Sequence, residues 1–214
     1  MTISKMNIQK AYNEWSESYD GDQNLTRDLD QEVTREVLAD LHFDSVLELG
    51  CGTGKNTIFL SQIGTNVHAV DFSQGMIEKA KEKVQAKNVV FSIMDITQSW
   101  LFDDRSFDLT ICNLVLEHIQ DMSFIFSEAS RVLQNKGRFF INELHPFRQY
   151  DGKKARFSRD VETIEVDAFM HHISDFLNAA TANAFTLIAL NEYWHKEDQN
   201  KLLRIVSFMY EKAD

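Results

Sequence analysis

The chain has 214 residues, of which 43% are hydrophobic and 26% charged, enough for one globular domain with its own core. Thirty-three acidic side chains against 22 basic ones give a formal net charge of −11. That repels phosphate backbones and anionic lipid surfaces and argues against nucleic-acid and membrane partners. Cys51 and Cys112 suggest no disulfide framework. The N-terminus lacks an apolar signal segment and no apolar run reaches the length of a membrane span, so a soluble, cytoplasmic protein is expected.

Taken in chain order, residues 5 to 19 read as a helix carrying Ile8, Tyr12, Trp15 and Tyr19 on one stripe, and residues 27 to 41 as a second helix. Ser45–Leu49 is a short strand running straight into Gly50-Cys-Gly-Thr-Gly54, and a helix with Thr57–Leu60 follows. Asn66–Val70 is a second strand ending at Asp71. Ser73 can cap the helix Gln74 to Ala86. Val89–Ile93 is a third strand, ending at Asp95, and Phe107–Cys112 a fourth, ending at Asn113. A helix from about Met122 to Leu133 exits at Asn135-Lys-Gly137, and Arg138–Asn142 is a fifth strand. This alternation implies a parallel sheet with helices on both faces. Residues 145 to 170 break the rhythm with Pro146, the sole proline, a basic cluster and a strand pair. A helix from Ser174 to Ala182 and two strands, Phe185–Leu190 and Leu202–Tyr210, close the chain. No linker interrupts it, and one domain over 1–214 is expected.

A glycine-rich loop between strand and helix lets the backbone turn sharply and a ligand approach closely, and the N–H groups of the helix start favour an anionic group. Asp71, at the end of the next strand, is placed to hold two ribose hydroxyls. A dinucleotide site wants G-x-G-x-x-G, but Lys55 occupies the last glycine position. Glu48, just before the loop, suits a ligand with a cationic amine and sulfonium and repels a pyrophosphate. The residues alone leave three plainer readings open: a glycine turn with no ligand, Asp71 and Asp95 as helix caps, and Tyr12, Trp15 and Tyr19 as a packing stripe.

Val46-Leu-Glu-Leu-Gly-Cys-Gly-Thr-Gly54 resembles motif I of class I S-adenosylmethionine-dependent methyltransferases. The resemblance extends over roughly residues 10 to 210 and is nearest the small-molecule branch that includes the ubiquinone, menaquinone and biotin-pathway enzymes. It implies a Rossmann-like α/β fold with a seven-stranded sheet ordered 3-2-1-4-5-7-6, strand 7 antiparallel. It also implies an N-terminal helical lid over 1–42 and an insertion over 145–172 covering the acceptor site. The implied cofactor is S-adenosylmethionine, with S-adenosylhomocysteine as product. By resemblance Gly50, Cys51, Gly52 and Gly54 line its methionine moiety, and Asp71 its ribose. Phe72 and Met76 lie against the adenine, Asp95 and Ile96 bind it, Asn113 and Leu114 flank the methionine end, and Tyr12 and Tyr19 belong to the lid.

Methyl transfer needs an aligned acceptor and, for a weakly acidic one, a base, and a neutral histidine serves near pH 7. His118, His145 and His171 are the catalytic candidates, each of which could equally be an ordinary polar contact. Half of a Glu-x-x-Glu-His metal cluster is present in Glu117 and His118, but Leu114 replaces its first glutamate, so no metal is expected. Arg148, Lys153, Lys154, Arg156 and Arg159 against Asp151 form a basic stretch that would favour an anionic small-molecule acceptor, or else a solvated loop. A monomer and a homodimer are both compatible. Two other functions remain open: an NAD(P)-dependent oxidoreductase on a related fold, and a non-catalytic S-adenosylmethionine-binding protein.

Overall fold

Runs such as Val46–Leu49 and Leu109–Cys112 are apolar at every position, the pattern of strands covered on both faces. In a computed structural model of the chain they lie at the centre of a sheet. The structure describes all residues except 1, 2, 6, 153, 154, 160, 161 and 200, and for 3–5, 156–159, 162 and 163 the backbone alone. The first elements are β1 (Ile3–Lys5), α1 (Ile8–Trp15), α2 (Leu25–Leu38), β2 (Phe43–Leu49), α3 (Thr57–Ile63), β3 (Gly64–Asp71), α4 (Gln74–Lys83), β4 (Val89–Ile93) and β5 (Phe107–Asn113). There follow α5 (Ser123–Val132), β6 (Leu133–Leu144), α6 (Pro146–Tyr150), β7 (Arg156–Arg159), β8 (Glu162–Glu165), α7 (Ile173–Ala182), β9 (Phe185–Tyr193) and β10 (Ile205–Lys212). Single 3-10 turns span Leu116–His118 and Lys196–Asp198.

The main sheet runs β4-β3-β2-β5-β6-β10-β9. Its first five strands are parallel, and β10 is antiparallel to both β6 and β9. Numbered within this sheet alone, that is the expected order 3-2-1-4-5-7-6 with the last strand antiparallel. On one face Leu29 and Val33 of α2 and Phe59 and Leu60 of α3 pack on Val46, Val67, Leu109 and Ile111. Ile77 of α4 joins Ala69 there. On the other face Ile125 and Phe126 of α5 and Phe176 and Ala180 of α7 pack on Leu47, Phe139, Phe208 and Tyr210.

The differences from the sequence-based expectations are local. The first helix is shorter than 5 to 19: it spans Ile8–Trp15, capped by Asn7, and Lys5 belongs to β1. That strand pairs with β8 in a small separate sheet β1-β8-β7, a contact between residues about 160 apart that no local pattern announces. The second helix begins at Leu25, because Asn24 accepts from the N–H groups of Thr26 and Arg27. The fifth strand of the main sheet starts at Leu133, paired with Phe107, and the left-handed residue past the helix is Lys136, not Gly137. Ser73 caps α4 as expected, its hydroxyl accepting from the Met76 N–H.

Candidate functional site

β2, β3 and β5 end side by side where the chain order in the sheet reverses, and at such a switch point an open α/β sheet leaves a crevice beyond its strand ends. A cavity of about 360 Å³ lies there. Its floor is the loop after β2, where Gly50, Gly52 and Gly54 have φ of +68°, +52° and +79°, a region that costs other residues about 1–2 kcal/mol. A Cβ on Gly50 would also collide with the Val115 side chain.

Asp71 ends β3 and bonds back to this loop. Its carboxylate accepts from Gly52 N at 2.9 Å and from Ser73 N at 2.8 Å. Burial pushes it up to about 6, against the pull of those N–H groups. Two more buried acids join it in the wall, Glu48 and Asp30. Burial, with Asp30 and Asp71 nearby, raises Glu48 to about 8, although the Thr57 hydroxyl donates to it. Burial raises Asp30 to about 6, against donors from Asn142, Asn56 and Thr34. The two lining cations are already engaged: Lys55 with Asp28 at 2.6 Å, and Arg27 with the carbonyls of Tyr19 and Asp22 while stacked on the Tyr19 ring. The side-chain oxygens of Asn56 and Asn113, also in the lining, are buried without a donor. The wall is therefore short of positive charge and of donors.

α1 lies across the mouth, tied down by polar contacts to the loops beneath. Gln9 donates to the Phe72 carbonyl at 2.7 Å. Asn13 accepts from the Ser73 hydroxyl and the Gly75 N–H. Asp20, in the turns that follow, accepts from the Thr53 hydroxyl. This carries Tyr12 over the cavity, with its hydroxyl 2.8 Å from His118 Nε2. His118 Nδ1 lies 2.9 Å from the Asp167 carbonyl. A carbonyl only accepts, so Nδ1 carries the proton, and Nε2 accepts from Tyr12. Burial holds the Tyr12 hydroxyl well above its usual range, so it stays a donor.

Among the expected residues, Tyr12, Tyr19, Gly50, Cys51, Gly52, Asp71, Phe72, Asp95, Ile96, Asn113, Leu114 and His118 line this cavity. The others are placed elsewhere. Gly54 faces α4, where a Cβ would press on Val84 and Ala80, and Met76 is fully buried in that helix. His145 is fully buried and caps α6: its Nδ1 accepts from Phe147 N–H, so Nε2–H donates to Glu192 at 2.7 Å. His171 does not point into the cavity, because its Nε2 donates to the Ile119 carbonyl at 2.7 Å, and the cap of α7 is His172. Asp95 spends one oxygen on the N–H and hydroxyl of Thr97. Sequence reasoning missed Arg27 and Asp30, which look like ordinary positions of an amphipathic helix.

A second cavity adjoins the first, with Tyr12, Tyr19, Arg27 and Leu114 in both walls. Leu114 sits at φ +55° between them, a strained conformation for a leucine. Glu117, Arg148 and Arg204 also line the second cavity. Of the basic stretch, Arg148 pairs with Asp198 at 2.8 Å, which Arg204 grips as well. Lys153 and Lys154 lie outside the described residues. Among the described residues no group of three metal-ligating side chains comes together.

Residues 47–141 match the family profile described as a methyltransferase domain. That segment is of the class I S-adenosylmethionine-dependent methyltransferase type. The chain is 31% identical over 154 residues to a demethylmenaquinone methyltransferase of Lactococcus lactis, covering 67% of this chain and 61% of that one. It is 32% identical over 125 residues to a malonyl-[acyl-carrier protein] O-methyltransferase of Bacillus anthracis, covering 56% and 46%. The chain spans about half the length, or less, of several such curated relatives. The N-methyltransferase NodS of Bradyrhizobium japonicum, solved with S-adenosylhomocysteine, has the same fold at 16% identity, with a TM-score of 0.73 over 98% of this chain and all of that one.

Proposed function

We propose that the protein transfers the methyl group of S-adenosylmethionine to a small-molecule acceptor. One observation carries the reading: the cavity past the glycine loop is walled by three buried carboxyl groups, with its own cations already engaged. A sulfonium and an ammonium supply the charge this wall lacks. A pyrophosphate adds to the repulsion, which disfavours a nicotinamide dinucleotide. The orphaned oxygens of Asn56 and Asn113 fit the same group, because an ammonium brings hydrogen-bond donors. The names of the relatives, which act on a quinone precursor and a malonyl thioester carrier, support a small or small-headed acceptor.

In this reading Asp71 holds the ribose hydroxyls, Phe72 and Ile96 enclose the adenine with Asp95 at its edge, and Glu48 with Asn113 meets the amino-acid tail. When bound, the cofactor supplies a methyl group already activated by positive sulfur. The residues of the chain then align the acceptor, keep water out and take its proton. The α1 lid, anchored by Gln9, Asn13 and Asp20, excludes water. His118 serves as base through Nε2, its tautomer set by the Asp167 carbonyl, and Tyr12 holds the place of the acceptor's donor. The acceptor enters by the second cavity. There Arg148 and Arg204 share the single carboxylate of Asp198, and their surplus positive charge suits an acidic group on the acceptor. His145 and His171 act as structural groups. The chain works as one domain over 1–214 in the cytoplasm, as a monomer or homodimer.

Calorimetric titration with S-adenosylhomocysteine and with NADH tests this. Binding of the thioether and not of the dinucleotide is expected; NADH binding alone would overturn the proposal.

A further inference from the structure

Glu117 stands out among the groups left over from the cofactor cavity. It lies in the 3-10 turn just past Leu114 and lines the second cavity. Its side chain is 9% exposed, and its Oε2 is buried without a hydrogen-bond partner. Its other oxygen lies 3.9 Å from His118 Nε2. Behind it Glu143 is buried too, its Oε1 spent on the N–H groups of Val115 and Leu116. Burial raises both carboxyls, Glu117 against the pull of His118 and of a Gln149 side-chain donor, Glu143 to about 8 with Glu117 adding to its rise. Among the described residues no lysine or arginine pairs with either. Two adjacent buried acids with an orphaned oxygen and no cation are costly, and a ligand that brings a donor and positive charge would complete them. Among the described residues none of the other cations of this cavity pairs with Glu117: Arg27 is held by backbone carbonyls and the Tyr19 ring, and Arg148 and Arg204 by Asp198. Tyr12, Trp15 and Tyr19 complete the wall with aromatic surface, which favours an organic ammonium over a bare ion.

We infer that Glu117 seats an amino group, so that the acceptor is an amine and the methylated atom is nitrogen. This rests on the methyltransferase reading and adds the substrate class. The terminal torsion of a glutamate is soft, so the carboxylate turns to meet an ammonium without a change of rotamer. The seated ammonium passes one proton to His118 Nε2, which frees the nitrogen lone pair. The lone pair forms the new N–C bond to the methyl group as the carbon–sulfur bond of the sulfonium breaks, its electron pair staying on sulfur. The products are a methylammonium ion, a neutral thioether and an imidazolium that returns its proton to water.

The test uses n-butylammonium and n-butanol as probes on the whole chain, with and without saturating S-adenosylhomocysteine, read by the NMR shift of the Trp15 indole N–H. That group donates to Asp22 at 2.7 Å in the cavity wall. Saturable binding of the ammonium about tenfold or more tighter than the alcohol is expected. Glu117→Gln should bring the two probes level while leaving S-adenosylhomocysteine affinity and melting temperature unchanged. Equal binding of the two probes to the wild type, no ammonium shift at all, or a preference that survives Glu117→Gln would each overturn the inference. Failure of S-adenosylhomocysteine to bind would instead count against the methyltransferase reading, because the titration without it still reports on the seat.

Discussion

The two cavities that meet at Leu114 are built in different ways. The first is framed mainly by chain segments that follow β2, β3, β4 and β5 directly, so most of its residues arrive at the end of a strand whose place in the sheet is fixed. The second draws on residues 12–27, 114–117, 144–155, 165 and 204, and its walls meet only when the N-terminal helices, the small sheet and β10 have docked. Backbone geometry dominates the first: positive-φ glycines, N–H groups turned onto Asp71, and a cap at Ser73. Side-chain charge dominates the second: Glu117 on one hand, and the Arg148–Asp198–Arg204 triad on the other. In the proposed reading, cofactor recognition is thus a property of local sequence, and acceptor recognition a property of the folded whole.

The sharpest way to break that contrast is at the junction. His118 lines the first cavity beside that junction, with Nε2 facing Tyr12, which lines both. His118→Ala should lower kcat by about 10²–10⁴-fold, the range for a positioned general base, and leave S-adenosylhomocysteine affinity within about twofold. Turnover measured as thioether release, set beside calorimetry, separates the two. A comparable loss of thioether affinity would mean that the residue holds the cofactor rather than acting on the acceptor.

Next in size is Gly50→Ala. The methyl group meets Val115 in a backbone held at φ +68°, so strain of about 1–2 kcal/mol combines with overpacking of about 1–3 kcal/mol. Thioether binding should be lost and the melting temperature should fall. Gly52→Ala, at φ +52° but with open space around its Cβ, should suffer the strain alone. Equal losses in the two variants would show that the contact with Val115 is immaterial.

This contrast explains what could be read from the sequence. The strands and helices of the main sheet, the glycine loop, Asp71 and the cap at Ser73 follow from periodicity and from short motifs, in which residue type and spacing carry the geometry, whereas the strand order, Phe72 and Asn113 come from the resemblance to a family. Other features have no such signature. β1 pairs with β8 across about 160 residues, and Asp30 reaches the wall by its bond to Asn142 at 2.9 Å. Three histidines also looked alike as residues following strands or opening a helix. Their roles diverged because a ring nitrogen takes whatever partner the fold supplies: Tyr12 and a carbonyl for His118, Glu192 for His145, and the Ile119 carbonyl for His171. The basic stretch gave no hint of its partner either: Arg148 pairs with Asp198, 50 residues downstream.

The acid wall gives a prediction in pH. Glu48 is raised from its ordinary 4.5 to about 8, so the folded chain holds that proton more tightly than the unfolded chain does. Its contribution to stability is full below about 4.5 and is lost as the pH rises through about 8. The ligand-free protein should therefore melt at lower temperature at pH 8 than at pH 6, and Glu48→Gln should lessen the fall, the remainder coming from Glu143, also raised to about 8. If both proteins fall in parallel, the proton is not held at Glu48. Asp30 and Asp71, raised to about 6, act with the same sign but release most of their protons below that window, so they add little between pH 7 and 8.

The smallest effect is expected at His145, and it marks where the second cavity stops. The ring caps α6 through Nδ1 and donates to Glu192 through Nε2, and neither nitrogen is left over for chemistry. His145→Gln keeps one of these bonds at most, which costs about 1 kcal/mol and lowers the melting temperature by a few degrees. Turnover and thioether affinity should match the wild type, because α6 stays packed through Arg148 and Asp198. A loss of kcat without a loss of stability would place His145 at the acceptor and move the boundary of the second cavity inward, past Glu143, to the end of β6.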